Sequence, residues 1–271
     1  MKPRPQKTAR LKTTAPTPPS QRDQVLADFA TLRLPVTADQ LDAALQHAQD
    51  TGLAHLDFLQ RLLADQAGLR RQRSVERRIK DAHFRGDLQP LGEFDWNFNP
   101  TISRVQIEDL AACDFIRRRQ NVVFVGQSGL GKSRLMQNIG QAACMKGYRV
   151  LYTTSGLLLE DLTAALADQT IHERVRFYAR PELLIIDEFG FDRIERSVCP
   201  QAASLWYKII DARSQRASTA LVTNIDFEAW DKYLGDPQLS MALLDRVVNG
   251  ATIVKLTGRS YRVHRGDKPT K

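Results

Sequence analysis

Cysteine is scarce in this chain. Cys113, Cys144 and Cys199 lie far apart and form no C-x-x-C pair. That argues against a disulfide framework and a structural zinc site, and it fits a reducing, cytoplasmic setting. Long apolar runs are missing too, none approaching the roughly 18 residues of a membrane span. Lys2 and Arg4 have no apolar stretch behind them, so no secretory signal is expected. No internal repeat is present. The first 22 residues contain no acid. They carry Lys2, Arg4, Lys7, Arg10, Lys12 and Arg22 among Pro3, Pro5, Pro16, Pro18 and Pro19. A segment this polar cannot bury enough surface to order itself, so residues 1–23 read as a disordered basic arm. A solubilising tail is its plainest role.

What is present suits one α/β domain with a smaller appendage: 271 residues, enough for a sizeable core. Lys plus Arg is 39 against 31 for Asp plus Glu, a net charge of +8. The excess favours an acidic partner, nucleic acid first, although many basic proteins bind none.

The strongest local signal is Gly126-Gln127-Ser128-Gly129-Leu130-Gly131-Lys132-Ser133, the G-x-x-x-x-G-K-S phosphate-binding loop. An apolar run at 121–125 reads as the strand before it, and Arg134 onward as the helix after it. Glycines let successive backbone N–H groups point at one phosphate, and the helix N-terminus adds positive potential. Lys132 can reach the β- and γ-phosphates of a nucleotide such as ATP, and the Ser133 hydroxyl can ligate Mg2+. Arg134 is counted with the nucleotide-binding residues.

Such a loop needs an acid to hold the metal. Leu183-Leu184-Ile185-Ile186 reads as a buried strand with Asp187 and Glu188 at its C-terminal end. Asp187 is the metal candidate, and Glu188 the general base that polarises an attacking water. Asn224 ends the next strand pattern, where it can hold that water or sense the γ-phosphate; a turn residue would look the same. Arg246, after Asp245, can stabilise charge on a transferring phosphoryl group from a neighbouring subunit, or simply pair with a surface acid.

Helical spacing of Leu41, Leu45, Ala48 and Leu53, then Leu56, Leu59, Leu62 and Leu63, predicts helices over 24–86, with a capping box at Thr37 and Gln40. The second helix runs into Arg70, Arg71, Arg73, Arg77, Arg78 and Lys80, opposed only by Glu76 and Asp81. The one-sided charge fits phosphate-backbone contact, against a plain solvated face. Arg174 and Arg176 are a second set of DNA candidates. Phe94, Trp96 and Phe98 alternate along 91–100, as if lining one side of an extended linker that packs on the next domain or walls an adenine pocket. Strand patterns recur at 121–125, 149–154, 182–187, 219–223 and 251–256, with helices between, which implies a parallel sheet covered on both faces. The expected layout is a basic arm (1–23), a small all-α domain (24–90), an aromatic linker (91–100) and an α/β ATPase domain (101–271).

The loop, Asp187-Glu188, Asn224, Asp245-Arg246 and Gly258-Arg259-Ser260-Tyr261-Arg262 together resemble the IstB family over about residues 30–265. These are AAA+ ATP-binding helper proteins of insertion-sequence transposons, related to the DnaC helicase loaders. The resemblance implies a P-loop AAA+ domain with a five-stranded parallel sheet and no C-terminal lid domain. It also implies that Asn224 is the sensor-1 residue, Arg246 the arginine finger acting in trans and Arg262 the sensor-2 arginine. The implied activity is Mg2+-dependent ATP hydrolysis by an oligomer, a ring or spiral on largely sequence-nonspecific DNA, which presents that DNA to a partner transposase. Gln127-Ser128 departs from relatives that often carry proline there, with little effect expected because the phosphate contacts come from backbone amides. A helicase loader shares the ATPase core and differs in what the N-terminal region grips. A small-molecule kinase needs an acceptor pocket and lid that no insertion here supplies. A DNA-coating protein with a vestigial nucleotide site is the third alternative.

Overall fold

The computed structural model describes residues 20–86, 90–191 and 199–261. The chain divides between Gln72 and Arg73 into two compact units. The first holds α1 (Gln21–Thr31), α2 (Ala38–Thr51) and most of α3 (His55–Asp81). Capping boxes open α1, from Ser20 and Asp23, and α2, from Thr37 and Gln40. Each satisfies backbone donors that a helix start leaves unpaired. Residues 20–23, expected in the arm, are thus a cap and first helical turn, because local hydrogen bonds can start a helix without burying apolar surface. Residues 1–19 lie outside the described residues. Arg22 donates to both Asp42 oxygens, at 2.7 and 2.5 Å, joining α1 to α2. Of the leucine stripe, Leu41 and Leu62 are buried, whereas Leu45, Leu56, Leu59 and Leu63 are exposed.

The second unit begins inside α3. Ile79 and Phe84 pack on its core, and Ala82 is fully buried there. The helical region drawn at 24–90 is therefore shared between the units, because the apolar side chains near its end belong to the sheet's core.

Five strands make that sheet: β1 (Val122–Val125), β2 (Val150–Thr154), β3 (Leu183–Phe189), β4 (Ser218–Thr223) and β5 (Thr252–Lys255). All pair in parallel, in the order β2-β3-β4-β1-β5. Alternate residues feed opposite faces. Val122, Phe124, Leu183 and Ile185 join a core with α4 (Arg104–Ala111), α5 (Asp114–Arg117) and α6 (Lys132–Met145). Val123, Val125, Leu184 and Ile186 join another with α7 (Ser155–Ala167), α8 (Ile171–Ala179), α9 (Ala202–Arg213), α10 (Trp230–Leu234) and α11 (Pro237–Val248). Covering both faces explains why these strands read as unbroken apolar runs. Each fully buried Leu, Ile or Val contributes about 1.5–3 kcal/mol. Parallel strands bring their C-terminal ends to one edge, where the loop after β1, Asp187 and Asn224 all emerge. No helix among the described residues is long and apolar enough to cross a membrane.

Residues 91–100 are not extended as expected. A 3-10 turn at Leu91–Glu93 leads into a turn in which the Asp95 carboxylate accepts the N–H groups of Asn97 and Phe98. Such a side chain-capped turn competes with a strand. The rings of Phe94 and Trp96 consequently touch, 4.7 Å between centroids.

Candidate nucleotide-binding site

Strand β1 ends at Val125 and α6 starts at Lys132, so the six residues between them must reverse the chain. Gly129 and Gly131 take left-handed φ values of 85° and 89°. A Cβ at Gly129 would fall 2.0 Å from Ser260 Oγ, and one at Gly131 would lie 2.9 Å from the Phe94 ring. Glycine is thus required at both by dihedral and by crowding.

Ser128, Gly129, Leu130, Gly131, Lys132, Ser133 and Arg134 line a cleft with Asp187, Glu188 and Asn224. Gly126 and Gln127 contribute differently: their carbonyls accept from Lys132 Nζ at 2.5 and 2.7 Å. The lysine, buried at 7% exposure, thus curls over its own loop.

Asp187 is 2% exposed, and both of its carboxylate oxygens accept hydrogen bonds. Oδ1 accepts from Ser133 Oγ at 3.0 Å and from the Glu188 N–H at 2.8 Å. Oδ2 accepts from the Tyr152 hydroxyl at 2.7 Å. Burial and then the neighbouring carboxylate push that hydroxyl far above the usual tyrosine range, so it stays a donor. Tyr152 was not anticipated from sequence; the available signal was a polar-tipped ring inside an otherwise buried strand.

Glu188 adopts φ 61°, unusual for a residue with a side chain. The β3–β4 register slips between Ile186 and Phe189, so Glu188 leaves the ladder. Phe189 then re-enters the core between Trp206, Trp230 and Tyr233. The bulge turns the glutamate into the cleft, and its carboxylate meets Arg85 Nη1 at 3.2 and 3.4 Å. Asn224 stands exposed just past β4 and lines the same cleft.

Phe94, Phe98, Phe191 and Tyr261 are the cleft's aromatic lining, and Asp95, next to Phe94 in sequence, lines it too. Phe94 lines the cleft and also packs against the core. The Arg134 guanidinium lies 5.6 Å from the Phe94 ring centre. Its Nε and Nη2 are buried without an acceptor among the described residues, which makes them donors for an acceptor-rich ligand. Asn99, also unanticipated, clasps the closing segment by accepting from Arg259 N and donating to Arg259 O, both at 3.0 Å. The Tyr261 N–H donates to Gly129 O at 2.9 Å, which ties this later segment to the phosphate loop.

Arg246 does not line the cleft of its own chain. It bonds Asp211 at 2.9 Å and stacks over Tyr207 at 4.7 Å, the surface pairing that sequence had left open. Arg262 lies outside the described residues. On α3, Arg70, Arg71, Arg73, Arg77 and Lys80 are exposed and Arg78 is half-buried against Ser74. At about 100° per residue, Arg70, Arg73, Arg77 and Lys80 follow one stripe of the helix. Arg174 is tied to Asp161 at 2.7 Å, and Arg176 lies beside Tyr207 and Lys208 in a shallow groove.

A family model described as IstB-like ATP binding protein matches residues 27–268. Similar proteins include one named as the ATP-binding protein of insertion sequence IS232 in Bacillus thuringiensis subsp. berliner, 33% identical over 89% of this chain and 94% of its own length. A counterpart from insertion sequence IS5376 of Geobacillus stearothermophilus is 30% identical, covering 86% of this chain and 90% of its own. The counterpart from IS21 of Pseudomonas aeruginosa is 30% identical over 82% of each chain. Among solved structures, DnaI aligns with a TM-score of 0.52 at 18% identity, covering 62% of this chain and 90% of its own. The replication initiator DnaA bound to AMPPCP and single-stranded DNA aligns at 0.50, also 18% identical, covering 64% and 52%. These structures share the AAA+ fold.

Proposed function

Because the chain belongs to the IstB-like ATP-binding protein family, we propose that it hydrolyses ATP in this cleft and, as an oligomer on DNA, stimulates the transposase of its own insertion element. The hydrogen bond from Ser133 to Asp187 carries the reading: it joins the phosphate loop to the acidic strand end across 54 residues of sequence. The loop's amides and Lys132 would bind the phosphates once the lysine turns from its own carbonyls. Ser133 and Asp187 offer hard oxygen atoms that fit Mg2+, which would offset phosphate charge when bound. Glu188 would take the proton of the attacking water, with Asn224 holding that water or the γ-phosphate. Phe94, Phe98 and Tyr261 suit the flat faces of a base.

Arg246 would act on a neighbouring subunit's nucleotide. Its bond to Asp211 is half-exposed and worth about 1 kcal/mol or less, so exchange for a phosphate is cheap. The basic stripe on α3 supports duplex contact, which would be salt-sensitive and nearly blind to sequence. The sequence relatives favour a transposition helper over a helicase loader; the AAA+ fold shared with DnaI is common to both roles.

The test is phosphate release and nucleotide affinity with and without duplex DNA. Lys132→Ala should lose tight ATP binding. Glu188→Gln should keep it and lose turnover. Normal turnover by Glu188→Gln removes Glu188 as the base and this mechanism with it.

A further inference from the structure

Asn99 follows the turn capped by Asp95 and is buried, at 6% exposure. Its carbonyl accepts the Ile102 N–H at 3.0 Å, and Ile102 belongs to the core, so the backbone here is fixed. Its side-chain amide bonds the Arg259 backbone in both directions, accepting from N and donating to O at 3.0 Å each. The exchange imitates the one between two paired strand residues, made here by a side chain. Two residues on, the Thr101 hydroxyl donates to the Thr257 carbonyl at 2.7 Å. Gly258, between Thr257 and Arg259, takes φ 134°, and a Cβ there would lie 2.3 Å from Asn99 Oδ1. The segment past β5 therefore passes Asn99 as bare backbone, and that side chain sets its course.

The clasp is felt in the cleft. Phe98 directly precedes Asn99, and Tyr261 lies two residues beyond Arg259. Their rings meet edge to face, 5.0 Å between centroids and 88° between planes, and both line the cleft. The Tyr261 N–H also reaches Gly129 of the phosphate loop, so the ring stands at a set distance from the loop. We infer that Asn99 is a positioning residue for nucleotide binding: by clasping Arg259 it sets the Tyr261 ring against Phe98 as a wall for the base, and so governs affinity for the nucleoside end of the ligand and not for its phosphates. This rests on the reading of the cleft as the ATP site.

The selectivity follows from where the clasp attaches. The phosphate end keeps its shape through its own contacts: Lys132 with the Gly126 and Gln127 carbonyls, and Ser133 with Asp187. None of these involves Asn99. The Tyr261 wall does depend on it. Stacking a base on an aromatic ring is worth a factor of about five to a hundred, so a wall set loose should raise the Kd for ATP and ADP by about five-fold or more.

The experiment compares the full-length parent with Asn99→Ala, Asn99→Asp, Thr101→Val, Tyr261→Ala and the double variant of Asn99→Ala with Tyr261→Ala. Asn99→Asp keeps the shape and loses the donor. ATP, ADP and inorganic tripolyphosphate, each with Mg2+, are titrated against a bound fluorescent nucleotide. Unfolding midpoints and kcat at saturating ATP are recorded alongside. Both Asn99 variants should bind ATP and ADP about five-fold more weakly or worse, and hold tripolyphosphate within about two-fold of the parent, with kcat kept. Thr101→Val removes only the companion bond and should weaken ATP in the same direction by less. The double variant should bind ATP no more weakly than Tyr261→Ala, because the clasp acts through that ring. A clasp that merely held the fold together would lower the midpoint and weaken tripolyphosphate as much as ATP, and that result overturns the inference. So does unchanged ATP affinity in the folded Asn99 variants, or full additivity in the double variant. If the Asn99 variants do not fold, Thr101→Val decides by the same comparison of ATP with tripolyphosphate. The parent separates the two failures. If it prefers ATP to tripolyphosphate and the Asn99 variants keep that preference, only the clasp is refuted. If the parent binds both equally, the cleft grips no base and the reading beneath the clasp has failed.

Discussion

Tyr152→Phe removes one oxygen and leaves the ring's packing in place, so it isolates the hydrogen bond to Asp187. That acid is 2% exposed, and Tyr152 is its partner at Oδ2. Water cannot readily take the hydroxyl's place. A hydrogen bond to a charged group contributes about 1.5–3 kcal/mol net. For a domain of this size each kcal/mol moves the thermal midpoint by about 2–4 °C, so a fall of roughly 3–12 °C is expected. Tyr178→Phe is the matched control. It also loses a bond to a carboxylate, at 2.8 Å, but the Asp161 side chain is 26% exposed and already paired with Arg174. Solvent and the arginine can compensate there, and the loss should stay near 1 kcal/mol or below. The second readout is nucleotide affinity. Groups that orient a metal-binding residue typically alter metal affinity by about 10- to 100-fold when removed. Tyr152→Phe should therefore weaken the Mg2+-dependent part of ATP binding about ten-fold or more, and Mg2+-free binding little. Thermal unfolding and fluorescent-nucleotide titration measure both effects. A midpoint within about 1–2 °C of the parent, with Mg2+-dependent affinity intact, would refute the assignment of Tyr152 as the residue that holds Asp187.

Gly131→Ala should reduce ATP affinity at least ten-fold in the same titration, because it adds about 1–2 kcal/mol of left-handed strain and drives a methyl into the Phe94 ring. Thiol labelling of the native protein at pH 8 should modify Cys199 first, since it is partly exposed whereas Cys113 and Cys144 are buried. Burial pushes the Cys144 thiol up to about 11, so only about one molecule in a thousand carries the reactive thiolate at pH 8. Cys144 reactivity should rise as pH climbs toward that value; rapid labelling of all three thiols at pH 8 would contradict the packing.

The amino-acid sequence by itself determined whatever is written in contiguous residues. The phosphate loop is eight neighbours whose glycines and lysine make sense only as a strand-to-helix reversal. The Ile185-Ile186-Asp187-Glu188 stretch is a buried strand that ends in acid. The five strands were legible because a parallel sheet covered on both faces demands unbroken apolar runs. Helical spacing located the first unit's helices too, but periodicity records which residues share a face and not what covers it. Leu45, Leu56, Leu59 and Leu63 keep the spacing and remain exposed. Tertiary structure decided the contacts between distant positions. Tyr152 reaches Asp187 because β2 lies beside β3 in the sheet order. Arg85 reaches Glu188 because the end of α3 is tied to the edge of β2 and because a register slip turns the glutamate toward it. Asn99 clasps Arg259 across 160 residues, where neither composition nor local spacing carries a signal. Such pairs depend on strand order and on one irregular residue, and those are settled by how the whole core packs.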